Sequence, residues 1–299
     1  MVREPLIICA DRLRKDGVVI LPQVLENDAL SLAEKGFEWS LGHPTPAAIQ
    51  STEDAGGTCY EDRCHPEAAN IYQELLCESP LPDILAGLWG PSSVWFLHET
   101  VCLLDGPTTR RTAWHRPSSE LALRGKQIAV VRIILDATSK AHSPEFVRGS
   151  HHEANEARSA FDAAADERPS DGVDVPNEGI EKQSETRDVV AWDVMPGDVL
   201  ICHPAVLQAD GGCEAGVRQR TLTLHFFGED AHYAARSIRA PLPLNSGLHD
   251  TLKDGDLFRH PAFPRLRPFP IGFEQIRAKT ALHERGGLTR NLRGKSAAR

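Results

Sequence analysis

Residues 195–224 read MPGDVLICHPAVLQADGGCEAGVRQRTLTL, and the fold is decided there. Pro196-Gly197-Asp198 is turn chemistry, the run 199–208 is apolar and rich in strand formers, and Asp210-Gly211-Gly212 closes it. A second strand follows over 221–227. Working outward, the runs 94–104, 128–137 and 189–192 have the same apolar, β-branched character between Gly, Pro and Asp punctuation. Short strands of this kind predict an antiparallel barrel or sandwich. The N-terminal region is different: helices are expected over 7–15, 27–41, 66–77 and 81–88, with Asn27 as an N-cap and a strand over 18–21. Residues 47–65 read as a long loop. The acidic and polar stretch 154–186 reads as an insertion, with a helix over 153–165 and a mobile loop over one mouth of the barrel.

With 299 residues and 41% hydrophobic composition, one large domain with a substantial core fits the chain. The expected division is a single domain over 1–284, with a helical N-terminal region (1–92), a barrel core (93–230) and a C-terminal extension (231–284). The formal net charge of −9 argues against nucleic acid as a partner. The basic tail 285–299, with Arg285, Arg290, Arg293, Lys295 and Arg299, reads as a flexible terminus. Its Gly294-Lys295-Ser296 imitates a phosphate loop but lacks the earlier glycine and the preceding strand. Seven scattered cysteines without a CxxC pair read as reduced thiols. The opening MVREPLIICADRLRKDG has only a short apolar run, so no signal peptide or membrane span is expected and the protein is placed in the cytoplasm.

Three pieces line up in order: DGVVILPQVLENDAL at 16–30, IILDA with FVRGSHH across 133–152, and the stretch 195–224. Together they resemble the phytanoyl-CoA dioxygenase-like family over about residues 7–230. The resemblance implies a mainly β fold with flanking helices around a double-stranded β-helix, or jelly-roll, core. It also implies Fe(II) and 2-oxoglutarate chemistry. The family holds iron with an HxD pair and a distal His, and an Arg further on pairs with the 2-oxoglutarate carboxylate. Carried over, the HxD pair falls on His115-Arg116-Pro117 and the distal position on Gln208. Arg220 matches the 2-oxoglutarate arginine, with Arg218 as the second choice. The Gln that many fungal members carry before the first His is here Thr112.

Two of the three implied ligands are therefore missing. Proline offers no carboxylate, and glutamine offers only a neutral amide, a poor partner for Fe(II) beside imidazole. Halogenases of the superfamily lose the carboxylate but keep both histidines, so Gln208 argues against that variation. His203 is the obvious substitute, but if 199–208 is one strand it faces away from Gln208. By the same parity, a lumen-facing Arg220 would set His225 on the outer face. His98 reads as a satisfied or half-buried histidine. The side chains of His151 and His152, beside Glu153, should diverge, and Cys59, Cys64 and His65 lack zinc-site spacing.

The expectation is a non-catalytic family member with no cofactor. It would act as a partner subunit of an active homologous oxygenase or of a second copy of itself, in natural-product biosynthesis of the terpenoid or meroterpenoid kind. The alternative is an active oxygenase with a non-standard site, taking Fe(II) and 2-oxoglutarate and oxidising a lipophilic small molecule. A third reading is a metal-independent binder of a small lipophilic ligand at the vacated barrel mouth.

Overall fold

Strand β11 (Arg218–Phe227) lies in the middle of the main sheet and organises the rest. It pairs antiparallel with β6 (Ile128–Ile134) on one side and β4 (Val94–Asp105) on the other. Beyond β6 come β9 (Val199–Cys202) and β1 (Val18–Leu21). Beyond β4 come β3 (Thr58–Arg63) and β2 (Ile49–Thr52), while β13 (Arg265–Arg267) also pairs with β4. The computed structural model describes residues 5–52, 56–90, 92–107, 112–119, 121–153, 187–235 and 247–268. The expected helix 153–165, the insertion 154–186 and the tail 285–299 thus fall wholly or almost wholly outside the described residues.

A second sheet, β10 (Gln208–Ala209), β7 (Glu145–Val147) and β8 (Val189–Val190), completes the jelly roll. A two-stranded pair joins β5 (Leu123–Arg124) to β12 (His232–Tyr233). Every strand pairing among the described residues is antiparallel.

The helices cover one face of the main sheet. They are α1 (Leu6–Asp16), α2 (Asn27–Gly42), α3 (Ala68–Ile71), α4 (Gln73–Glu78) and α5 (Leu81–Trp89); a short α6 (Leu248–Thr251) comes later. Leu222, Leu224 and Phe226 of β11, with Val131 and Ile133 of β6, pack against Phe37, Leu75, Leu76, Leu81 and Leu85 of the helices. Burying each such side chain contributes about 1.5–3 kcal/mol, so this layer carries most of the stability. Side chains alternate along a strand, so the opposite face of β11 presents Gln219, Thr221, Thr223 and His225 to the barrel interior.

Several expectations are corrected. Residues 47–65 are not a loop, since β2 and β3 form a hairpin that extends the main sheet. The expected helix 66–77 is split into α3 and α4 around Tyr72. Asn27 is the first residue of α2 rather than its cap, and Glu26 in the cap position makes no side-chain capping bond. The run 199–208 is two strands in different sheets. Pro204 has no amide hydrogen to give a ladder, so the chain leaves β9 there and re-enters as β10.

Two of the glycine turns lie against the core. Gly17 ends α1 at φ 78°, where a Cβ would collide with the His151 ring and Val206. Gly197 sits at φ 91° against the Leu25 carbonyl. Next to it, Asp198 accepts hydrogen bonds from the amides of Gln23 and Met195, both at 2.9 Å, and from the Gln23 side chain. The Pro-Gly-Asp turn thereby fixes where β9 begins.

Candidate functional site

The two sheets enclose a cavity of about 230 Å³. Its end near the smaller sheet is built by residues 112–115 running antiparallel beside β10. His115 and Gln208 exchange backbone hydrogen bonds of 2.9 and 3.0 Å, and Thr112 and Asp210 pair one step further along. Alternation buries Trp114 in a small outer cluster with Val147, Leu207 and Ala209 and turns His115 inward. Gln208 is buried and faces it. Pro117 opens a 3-10 turn (Pro117–Ser119) at the cavity wall. The fold thus brings the three positions matched to the iron ligands to one end of the lumen.

Hydrogen bonding there is specific. The carbonyl of Ala113 lies 3.0 Å from His115 Nδ1, so that nitrogen donates and Nε2 carries the lone pair. In a metal site this arrangement would aim Nε2 at the ion. Here Nε2 is 3.4 Å from the amide nitrogen of Gln208, which donates to it, while Gln208 Oε1 faces the Cys202 thiol at 3.7 Å.

The acid nearest in sequence is Asp210, on the same face of the chain as Gln208. Its carboxylate is held by Arg132 Nη1 at 2.6 Å. Burial opposes charge on Arg132, but Asp210, with smaller contributions from Cys202 and Cys102, raises the guanidinium pKa above its ordinary value. Arg132 Nε is buried without a hydrogen-bond partner among the described residues. Such an unmet donor typically costs about 1–3 kcal/mol.

Further along the lumen, His98 and His225 stack with ring centroids 4.0 Å apart. Burial first, then His98, Arg132 and Arg63, hold the His225 pKa well below the usual histidine range, so its ring is neutral. The thiols are equally unsuited to bind a cation as thiolates. Burial pushes Cys202 up to about 12, and contact with Cys59 followed by burial raises Cys102 well above normal. Arg63 and Glu61, 4.0 Å apart, also line the cavity.

Arg220 and Arg218, the positions that the resemblance matches to the 2-oxoglutarate arginine, are not among the residues lining the cavity. Arg220 shares its face with Leu222, Leu224 and Phe226, as expected, but that face meets the helices. Its guanidinium binds Asp136 through Nε at 3.0 Å and Nη2 at 2.9 Å and reaches Glu38 and Glu34 of α2. Arg218 is exposed at the start of β11. His225, expected outside, is inside.

His203 stays out of the lumen lining. Its Nε2 donates to the Gly125 carbonyl at 3.1 Å and its Nδ1 accepts from the Ala205 amide. The run 199–208 is not one strand, but these contacts still hold the His203 ring away from the lumen. His151 and His152 do not diverge, since their rings lie 3.9 Å apart, and His151 Nε2 donates to the Arg14 carbonyl. Cys64 is buried, and the His65 amide donates to Glu99. Arg116 points away from the lumen to the carbonyls of Ser150 and Ala205. Among the described residues, no group of three or more His, Cys, Asp or Glu is arranged to hold a metal ion.

Sequence reading missed Arg132, Asp210, Arg63 and Glu61. Arg132 had left a signal: one charged residue inside the apolar run IAVVRII.

An antiparallel jelly roll with a helix layer on its main sheet and a polar lumen defines the double-stranded β-helix class. Within that class, the chain belongs to the phytanoyl-CoA dioxygenase (PhyH) family, whose pattern matches residues 13–209. No curated protein matches it in sequence. Among solved structures, it is similar to the non-heme alpha ketoglutarate dependent epimerase SnoN from nogalamycin biosynthesis. The identity is 18%, the coverage 89% of this chain and 97% of SnoN, and the TM-score 0.66. SnoN has also been solved with Fe3+, alpha ketoglutarate and nogalamycin RO. The carbocyclase SnoK of the same pathway is 15% identical over 89% of this chain and all of its own, with a TM-score of 0.65. AviO1 from Streptomyces viridochromogenes Tue57 is 20% identical over 81% of this chain and all of its own, at a TM-score of 0.55. At these identities the likeness is one of fold.

The residues present do not fit the family's iron. A facial site needs two imidazoles and a carboxylate with free lone pairs. The matched positions supply one imidazole whose lone pair accepts an amide proton, a neutral amide and a proline.

Proposed function

We propose that this protein is a non-catalytic member of the phytanoyl-CoA dioxygenase family that works as a partner subunit in natural-product biosynthesis. It would associate with an active homologous oxygenase and stabilise it or shape its substrate entrance. The observation that carries this reading is the contact between His115 Nε2 and the Gln208 amide inside an otherwise intact barrel. A folded scaffold without its reactive centre acts through its surface. The natural-product setting is supported by the likeness to SnoN and SnoK, which are enzymes of nogalamycin biosynthesis. Consecutive apolar side chains are also left exposed on α1, Ile7 at 72% and Ile8 at 41%, as a protein-contact surface requires. Without strong metal ligands, neither Fe(II) nor 2-oxoglutarate is needed for this role.

Co-expression with an active family member from the same pathway, followed by size-exclusion chromatography, tests the proposal. The expected result is a co-eluting complex with an interface of about 1,600 Å² or more. Separate elution from every such homologue, or elution as a self-associated dimer alone, would overturn the hetero-oligomeric role. The lumen itself supports a second reading, a metal-independent small-molecule binder. Its lining mixes threonine, glutamine and imidazole groups with Leu104, Leu121, Val130, Ile134 and Val194, which suits a small molecule with both polar and apolar parts.

A further inference from the structure

We infer that Arg132 has taken the place of the metal ion as the fixed cation of the barrel, and that its ion pair with Asp210 both ties the two sheets together and keeps divalent cations out. The inference rests on the metal-free reading above, and extends it from missing ligands to an added charge.

The geometry points this way from both ends. Arg132 projects from β6 of the main sheet, between the lumen-lining Val130 and Ile134. Asp210 follows directly after β10 of the smaller sheet. Their 2.6 Å contact therefore bridges the two sheets across the lumen, where a shared metal would otherwise join side chains from several strands. The guanidinium side chain is only 12% exposed and so is shielded from solvent, while the carboxylate, 34% exposed, sits at the edge of the lumen.

The same pair also disarms the site. Asp210 is the carboxylate on the same face of the chain as Gln208, and the guanidinium holds it. A divalent ion near His115 would share the lumen with a charge that cannot be deprotonated. Restoring the lost ligands alone should then fail to restore metal binding. This separates the inference from a simple loss of two side chains, which predicts that the two ligands are sufficient.

The test compares two variants of the full chain. One carries Pro117→Asp with Gln208→His, and the other adds Arg132→Met. Co(II) is the probe, followed by calorimetry and visible absorption, with thermal melting run alongside to report folding. The expected result is Co(II) binding on the order of 100-fold tighter in the triple variant than in the double. Equal affinity of the two, or no binding by either while both remain folded, would overturn the inference.

Should those variants fail to fold, single substitutions in the native chain decide it. Arg132→Met and Asp210→Asn should each lower Tm by about 5–10 °C, and the two together by less than the sum. Additive effects, or no change in Tm, would overturn it. Native chain binding Co(II) stoichiometrically would instead sink the metal-free reading, an outcome distinct from failure of the variants.

Discussion

Two arginines on neighbouring strands show how the two faces of the main sheet differ. Arg220 on β11 lies on the face that carries Leu222, Leu224 and Phe226, at the rim of the helix layer, where Asp136, Glu34 and Glu38 surround its guanidinium. Arg132 on β6 lies on the opposite face, inside the barrel, where Asp210 is its ion-pair partner and its Nε has no hydrogen-bond partner among the described residues. The outer arginine fastens a helix to a sheet. The inner one puts a positive charge into the lumen that His115, Pro117 and Gln208 also line. Apolar burial dominates the helix face, whereas the lumen face combines an apolar cluster around Val130 and Ile134 with these charged and polar groups.

The largest effect should come from the helix face. Phe226 is fully buried and meets Phe96 edge-on at 5.9 Å, so Phe226→Ala should destabilise the fold by about 3–5 kcal/mol in urea unfolding. Thr223 on the lumen face should tolerate Ala at about 1 kcal/mol or less, because the cavity can take up the lost volume. Comparable losses at the two positions would break the contrast between the faces.

Next in size is a pH effect from Glu99, which is on β4 and 1% exposed. Burial pushes its pKa up to about 7, against the hydrogen bond from the His65 amide. The folded chain then holds a proton that the unfolded chain releases near pH 4.5. Stability from this group is therefore lost as pH rises from about 4.5 to 7, by up to about 3 kcal/mol. Glu99→Gln should remove that slope, and unfolding curves at pH 5 and pH 8 measure it. His225 acts in the opposite sense: its pKa is lowered, so its contribution is lost as pH falls below about 6.5. An unchanged slope in the Glu99 variant would place the titration elsewhere.

Smaller still is Arg220→Met. Losing the two-pronged contact with Asp136 should cost about 1–3 kcal/mol. Because the residue is outside the lumen, this variant should leave any ligand binding in the cavity unchanged. A selective loss of lumen binding would restore Arg220 to the site.

Much of this was legible in the sequence. The turn at Pro196-Gly197-Asp198, the strands of the main sheet and most of the helices follow from turn chemistry and apolar patterning. So does the convergence of His115, Pro117 and Gln208, through family resemblance. Alternation along β11 was equally legible, but alternation alone does not say which face is the lumen. The leucines suggested the inside of the barrel, whereas the helix layer had claimed them. Pro204 hid a second failure, because a continuous apolar run looked like one strand when the chain was crossing between sheets. The hairpin β2–β3 was missed because Ile49–Thr52 is exposed and polar, with little period to read. Cross-sheet pairs such as Arg132 with Asp210, 78 residues apart in sequence, leave no local trace beyond an arginine in an apolar run.

The most direct test of the central claim is anaerobic titration of the native chain with Fe(II), with and without 2-oxoglutarate, followed by oxygen exposure and assay of succinate. The account predicts no stoichiometric iron, no succinate above the protein-free control, and a Tm indifferent to chelator. One equivalent of bound iron with succinate turnover would contradict it.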